Sequence, residues 1–176
     1  LPSGAMPYSV YLGAEHHFQE AVEKYDEPNQ HKPVIAQFTD MLAHQPGDQQ
    51  WIKECLPKFD RFLTHYDESY LDRRTGLYRW RSDAVIGVDN DPCTFGRPRH
   101  ASATVFLNCL MVREFDAMVR LHRQHGGGRD VAEKYVARRE ELSAAIRRWC
   151  WDRRDRFFYS VDLQCHTDHT LPYLHH

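Results

Sequence analysis

The sequence has no CxxC pair. Its five cysteines (Cys55, Cys93, Cys109, Cys150 and Cys165) are an odd number at irregular spacings. That favours free thiols in a reducing, cytoplasmic compartment over a disulfide framework. No apolar run is long enough to span a bilayer, so no membrane partner is expected. The first residues do not show the charged-then-apolar order of a secretory signal. Neither sign of charge dominates: the formal net charge is −2. Arg and Lys are scattered among Asp and Glu, so no basic face points to nucleic acid. Long period-2 alternation, the mark of an exposed sheet, is also missing. What is present suits one folded domain: 176 residues, 41% hydrophobic against 27% charged, enough to build a core. Aromatic residues reach 12%, which a well-filled core explains and a pocket lined by flat rings would also use.

Residues 1 to 32 are punctuated by Pro and Gly and read as irregular, with a short helix expected over His16 to Tyr25. After Pro33, Val34, Ile35, Phe38, Met41 and Leu42 fall at helical spacing, and "PG" at 46 and 47 ends the segment. Asp48 can cap a second helix. Ile52, Cys55, Leu56, Phe59, Phe62, Leu63 and Tyr66 keep one of its faces apolar, and Pro57 is expected to kink it. Val105, Phe106, Cys109, Leu110, Phe115, Met118 and Val119 form the next stripe, stopped by "GGG" at 126 to 128. Asp130 and Glu133 make a capping-box-like start for a fourth helix. Its stripe is Val131, Tyr135, Leu142, Ala145, Ile146 and Trp149. The fold class expected is all-α, with helices joined as antiparallel hairpins. "LDRRTGLYRW" (71 to 80) is echoed by "WDRRDRFFYS" (151 to 160), each after an amphipathic helix. Repetition at that period suggests stacked helical hairpins.

Between these units lies "IGVDNDPCTFGRPRH" (86 to 100), with Asp89, Asn90 and Asp91 clustered between Gly87 and Pro92. "GVDNDP" resembles the general-acid motif of the six-hairpin glycosidases. The match is best to glycoside hydrolase family 63 and its mannosylglycerate-hydrolase-like relatives, with trehalases more distant. Other segments resemble the family in the same order: "NQHKPVIAQF" (29 to 38), "TGLYRW", "FLNCLMVREFDAMVRLHRQHG" and "IRRWCWDRRDRFFYSVD". The resemblance covers roughly residues 10 to 163. It implies a portion of an (α/α)6 toroid with its site on the loops at one end. Residues 1–163 are then a partial catalytic domain, and 164–176 an irregular, His-rich tail. Six hairpins at the period of the echo need several hundred residues. The family's catalytic base is a Glu on a late hairpin that nothing after residue 163 resembles, so a fragment, a truncated homologue or an observed portion of something longer is expected.

The resemblance implies an inverting glycoside hydrolase acting on an α-linked glucoside or mannoside, with no cofactor. The rival class is a non-catalytic helical carbohydrate-binding or scaffold protein derived from the same fold. Inversion needs a protonated carboxyl on one side of the sugar and a carboxylate that activates water on the other, about 6.5–9.5 Å apart. The resemblance puts Asp89 in the acid role; a solvated turn is the alternative for Asp89, Asn90 and Asp91. Asp91 is a nearby like charge, which raises a carboxyl pKa. Gly87 permits close approach of backbone to substrate, and Asn90 can hydrogen-bond a sugar hydroxyl. Gln30 is placed in the minus-one subsite by resemblance. Tyr78 and Trp80 are candidates to offer ring faces, with packing under the loop as their other role. Arg97 and Arg99 are candidates to bind a carboxylate on a glycerate-type aglycone, against ordinary solvation. Cys165, His166, Asp168, His169, His175 and His176 include metal-ligand types at spacings that match no standard site, so no metal is expected.

Overall fold

In the computed structural model, residues 4–6, 30–83, 86, 88, 91–126, 128–165 and 171–174 are described. The expected helix over His16 to Tyr25 lies outside them. Among the described residues four helices carry the core: α1 (Ile35–Leu42), α2 (Gln50–Ser69), α3 (Val105–His125) and α4 (Arg129–Trp149). Seven strands of two or three residues trim one end: β1 (Leu71–Asp72), β2 (Leu77–Tyr78), β3 (Ser102–Ala103), β4 (Trp151–Asp152), β5 (Phe157–Phe158), β6 (Ser160–Asp162) and β7 (Tyr173–Leu174). They form two two-stranded hairpins and one three-stranded sheet ordered β3-β6-β7, all antiparallel.

The stripes of α2 and α4 pack as their spacing predicts. Ile52, Leu56, Phe59, Phe62, Leu63 and Tyr66 are buried along α2, and Tyr135, Leu142, Ala145, Ile146 and Trp149 along α4. Full burial of such side chains favours the fold by roughly 1.5–3 kcal/mol each. Pro57 lies inside α2 on its exposed side. The start of that helix is supported by Asp48, whose Oδ1 accepts the Gln50 N–H at 2.9 Å. α3 ends as the glycines require: Gly126 takes a left-handed φ of 92° that a side chain would strain.

Three expectations fail. The apolar side of α1 faces out: Phe38, Met41 and Leu42 are 59%, 64% and 57% exposed, while Ala36, Thr39 and Asp40 are buried. Polar partners on α3 explain the choice, because Glu114 receives the first N–H groups of α1 and Arg120 pairs with Asp40 at 2.9 Å. The first half of the α3 stripe is also misplaced, while Phe115, Met118 and Val119 are buried as expected. Phe106 and Cys109 are exposed, and Leu107, Met111 and Leu121 are buried with Asn108, Glu114 and His122. This helix packs against α1, α2, α4 and β2, so one apolar stripe cannot describe its buried surface. The capping box of α4 does not form: Gly128 is the N-cap without a side-chain cap bond, and Glu133 pairs with Arg123 instead.

The internal echo is a structural repeat. β1/β2 pairs Leu71 with Tyr78, and β4/β5 pairs Trp151 with Phe158. Asp72 and Asp152 each accept a backbone N–H three residues on, from Thr75 and Asp155. Gly76 and Arg156 both have positive φ, 74° and 52°. The Arg79 N–H donates to the Tyr70 carbonyl and the Tyr159 N–H to the Cys150 carbonyl. The units pack on one another through Trp149, whose Nε1 donates to the Thr75 carbonyl at 3.0 Å. Within the 164–176 segment, expected to be irregular, β7 pairs with β6; His166, Asp168, His169, His175 and His176 lie outside the described residues. Among the described residues no helix is long and apolar enough to cross a membrane, and no group of three or more metal-ligating side chains gathers.

Candidate active site

The loop from Arg79 to Thr104 joins β2 to α3 at the end of the helices where the short strands lie. Its stem is built from buried polar bonds. Asn108, on the first turn of α3, accepts the Tyr78 N–H at 2.8 Å and donates to the Tyr78 carbonyl at 2.9 Å, as a neighbouring strand would. The Trp80 indole donates to Thr104 Oγ1 at 2.8 Å, and the same hydroxyl caps α3 by accepting the Leu107 N–H. Gln30, 1% exposed, clamps the loop from outside: its Nε2 donates to the Arg79 carbonyl at 3.0 Å and its Oε1 accepts the Arg81 N–H at 2.7 Å.

These bonds decide the roles of the aromatic candidates. Tyr78 and Trp80 are 3% and 1% exposed, and they fill the core beneath the loop rather than offer ring faces. The Tyr78 hydroxyl donates to Asp67, which also pairs with Arg138. Burial pushes that phenol pKa well up, reinforced by the Asp67 charge. The Gln30 amide is likewise committed to the main chain at both ends.

Further along, Asp91 organises a tight turn. Its Oδ1 accepts the Cys93 N–H at 2.9 Å, and its carbonyl accepts the Thr94 and Phe95 N–H groups at 2.8 and 2.7 Å. Thr94 Oγ1 donates to Asp83 Oδ1 at 2.7 Å, tying the two sides of the loop. Ser102 Oγ donates to the Cys93 carbonyl. Arg97, a candidate for a substrate carboxylate, donates from Nε to Ser102 Oγ at 3.0 Å and forms an ion pair with Asp162. Ser102 and Asp162 are direct partners across β3 and β6, so one guanidinium reaches both. Asp162 in turn accepts the Gln164 and Cys165 N–H groups at 2.8 and 3.4 Å. Burial alone would raise its pKa, but Arg97 and those two N–H groups outweigh that and hold it below the usual carboxylate range.

Asp89, Gly87 and Asn90 lie outside the described residues; Val88 and the turn from Asp91 to Phe95, which flank them, are within. Arg99 is exposed at the rim of the same loop. Sequence reasoning missed Ser102, Thr104 and Asn108 as builders of the site. Asn108 had a signal, a lone amide inside the apolar run "FLNCLM"; Ser102 had none.

The loop stands between two repeated helical hairpins, the build of a helical-hairpin scaffold. Residues 2–170 match the family model for the mannosylglycerate hydrolase MGH1-like glycoside hydrolase domain, and the chain belongs to that family. Among solved structures it is similar to a GH63 mannosylglycerate hydrolase from Thermus thermophilus in complex with Tris and D-glycerate. That match has a TM-score of 0.70 and 17% identity, over 93% of this chain and 54% of the other. It is also similar to a sialidase (TM-score 0.66, 17% identity, 81% of this chain, 12% of the other). An uncharacterized conserved protein from Thermus thermophilus resembles it too (TM-score 0.60, 18% identity, 76% of this chain, 45% of the other). The chain thus spans about half or less of the length of these structures. No curated protein matches it. The fold is a mostly helical portion of an (α/α)6 toroid.

Proposed function

We propose that these residues form the acid-bearing part of an inverting glycoside hydrolase that acts on an α-linked glucoside or mannoside in the cytoplasm. Asp89 donates the proton to the leaving oxygen, and Gly87 and Asn90 line the sugar site beside it. The base that activates water lies outside residues 1–163, on a later hairpin. The supporting observation is the family match over residues 2–170, within which the "GVDND" loop stands between two structurally repeated hairpins. The D-glycerate bound to the Thermus hydrolase suggests a glycosyl-glycerate among the substrates to assay. Gln30 and Arg97 serve this site by shaping its loop.

The test is Asp89→Asn in the full-length protein. The amide keeps size and most hydrogen bonds but has no proton of suitable acidity. Hydrolysis of substrates with poor leaving groups should fall by about 10²–10⁴, while glycosyl fluorides, whose departure hardly needs protonation, lose far less. The first-formed anomer, followed by NMR, should be inverted. Retention, or an Asp89→Asn enzyme as active as the parent on poor leaving groups, rejects the reading. Sugar binding without turnover in the full-length protein would favour the non-catalytic class.

A further inference from the structure

A chain of hydrogen bonds runs from the middle of the acid loop to the strand that follows the next hairpin. It starts at the Cys93 carbonyl, passes through Ser102 Oγ to Arg97 Nε, crosses the guanidinium to Asp162, and ends on the Gln164 and Cys165 N–H groups. Cys93 and Ser102 are buried, and Asp162 is 8% exposed. The link joins the loop to strands β3 and β6 rather than one helix to another. What it does span is an irregular loop held at its stem by Gln30 and in its turn by Asp83.

We propose that Arg97 and Asp162 are positioning residues that tie the described arm of the acid loop, Asp91 to Ser102, to β3 and β6 and so hold the loop for proton donation. This rests on the reading of Asp89 as the proton donor. The physical reason is the fork of the guanidinium. Its Nε and Nη2 engage two different elements at once, the Ser102 hydroxyl on β3 and the Asp162 carboxylate on β6, as an ammonium cannot. Asp162 is itself immobilised by two backbone donors, so the guanidinium is anchored on a fixed carboxylate. Small displacements of a catalytic group are expensive in rate: a shift of about 1 Å can cost about 10²-fold.

The experiment compares Arg97→Met, Arg97→Lys and Asp162→Asn in the full-length protein on two substrates, one with a poor leaving group and one glycosyl fluoride. For the poor leaving group, Arg97→Met and Asp162→Asn should lower kcat by about 10–100-fold with KM changed by less than about threefold. The fluoride should lose less than about threefold. Arg97→Lys, which keeps the charge and loses the fork, should fall between. The double variant should be no worse than the poorer single one, because both break one link. Circular dichroism and Tm are recorded for each, and the two conservative variants carry the test if Arg97→Met does not fold. Equal losses on both substrates, or none, overturn the proposal. So does a rise in KM confined to carboxylate-bearing substrates, which would mean that Arg97 binds substrate. Asp89→Asn on the same pair separates the two readings. If it lacks the leaving-group signature, the acid assignment fails; if it has the signature and the Arg97 variants do not, only the positioning role fails.

Discussion

Glu114 is a fully buried carboxylate that closes a helix it does not belong to. It accepts the Ala36 N–H at 2.7 Å, the Gln37 N–H at 3.2 Å and the Gln37 side-chain amide at 3.1 Å, so it satisfies donors that the first turn of α1 leaves open. Burial raises its pKa and those donors pull it down; the net folded value stays above the usual 4.5. A raised carboxyl means that the folded state keeps its proton longer than the unfolded chain. Its contribution to stability is therefore greatest below the unfolded value and declines as pH rises through the folded one. Glu114→Ala should remove that slope. It should also cost about 1–3 kcal/mol at neutral pH, because buried N–H groups lose their acceptor; urea titrations at several pH values measure both. The sequence could not single out Glu114, since "VREFD" reads as an exposed, charged turn of helix until α1 is laid across it.

At the scale of elements, the two hairpins of the repeat carry an asymmetry that sequence and structure explain together. Gly76 and Arg156 occupy equivalent turns, and both take positive φ. A Cβ at Gly76 would meet only Ala145 Cβ, at 3.5 Å, so space is not the obstacle there; the backbone angle is. Gly76→Ala should destabilise by about 1–2 kcal/mol. Arg156→Gly should be neutral to stabilising by up to about 1 kcal/mol, the relief of φ being partly offset by the greater freedom of glycine in the unfolded chain. Thermal unfolding should therefore come earlier for Gly76→Ala and be unchanged or later for Arg156→Gly, and a loss of Tm in both would contradict the assignment. The echo was legible because both turns use the same Asp-to-backbone bond. The stripes of α2 and α4 were legible because each presents one face to the core. α1 and α3 were not, because their contacts are polar or on several sides.

For the molecule as a whole, the thiols report on packing. All five cysteines are free. Cys93 and Cys150 are buried, and burial pushes the Cys150 thiol up to about 12; Cys109 and Cys165 are exposed. With the 176-residue chain, a disulfide reagent at neutral pH should therefore label the exposed Cys165 fastest, Cys109 more slowly because burial raises its thiol pKa, and Cys93 and Cys150 only on unfolding. A denatured, non-reduced sample should yield five thiols; a count of one or three would reverse the compartment reading. The same chain should show no appreciable hydrolysis alone, because proton donation contributes about 10²–10⁴ in rate and the water would lack its base. Robust inverting turnover by these residues would place the base among them. Asp162 would make a poor candidate, since its oxygens already hold Arg97 and two N–H groups.

What the sequence determined by itself was carried by local spacing, which placed the elements but not the buried faces of α1 and α3. The helices, their glycine stop, the repeated hairpins and the ordered motifs of the family are each written in contiguous residues, where periodicity and turn chemistry act over a few positions. What only the tertiary structure decided was where side chains far apart in the chain meet. It turned Tyr78 and Trp80 inward, spent Gln30 on two backbone groups, and paired Arg97 with Asp162. It also buried the polar side of α1. An ion pair between residues as distant in the chain as Arg97 and Asp162 leaves no trace in local pattern. Its partners are chosen by the register of β3 on β6, and that register exists only once the hairpins have stacked.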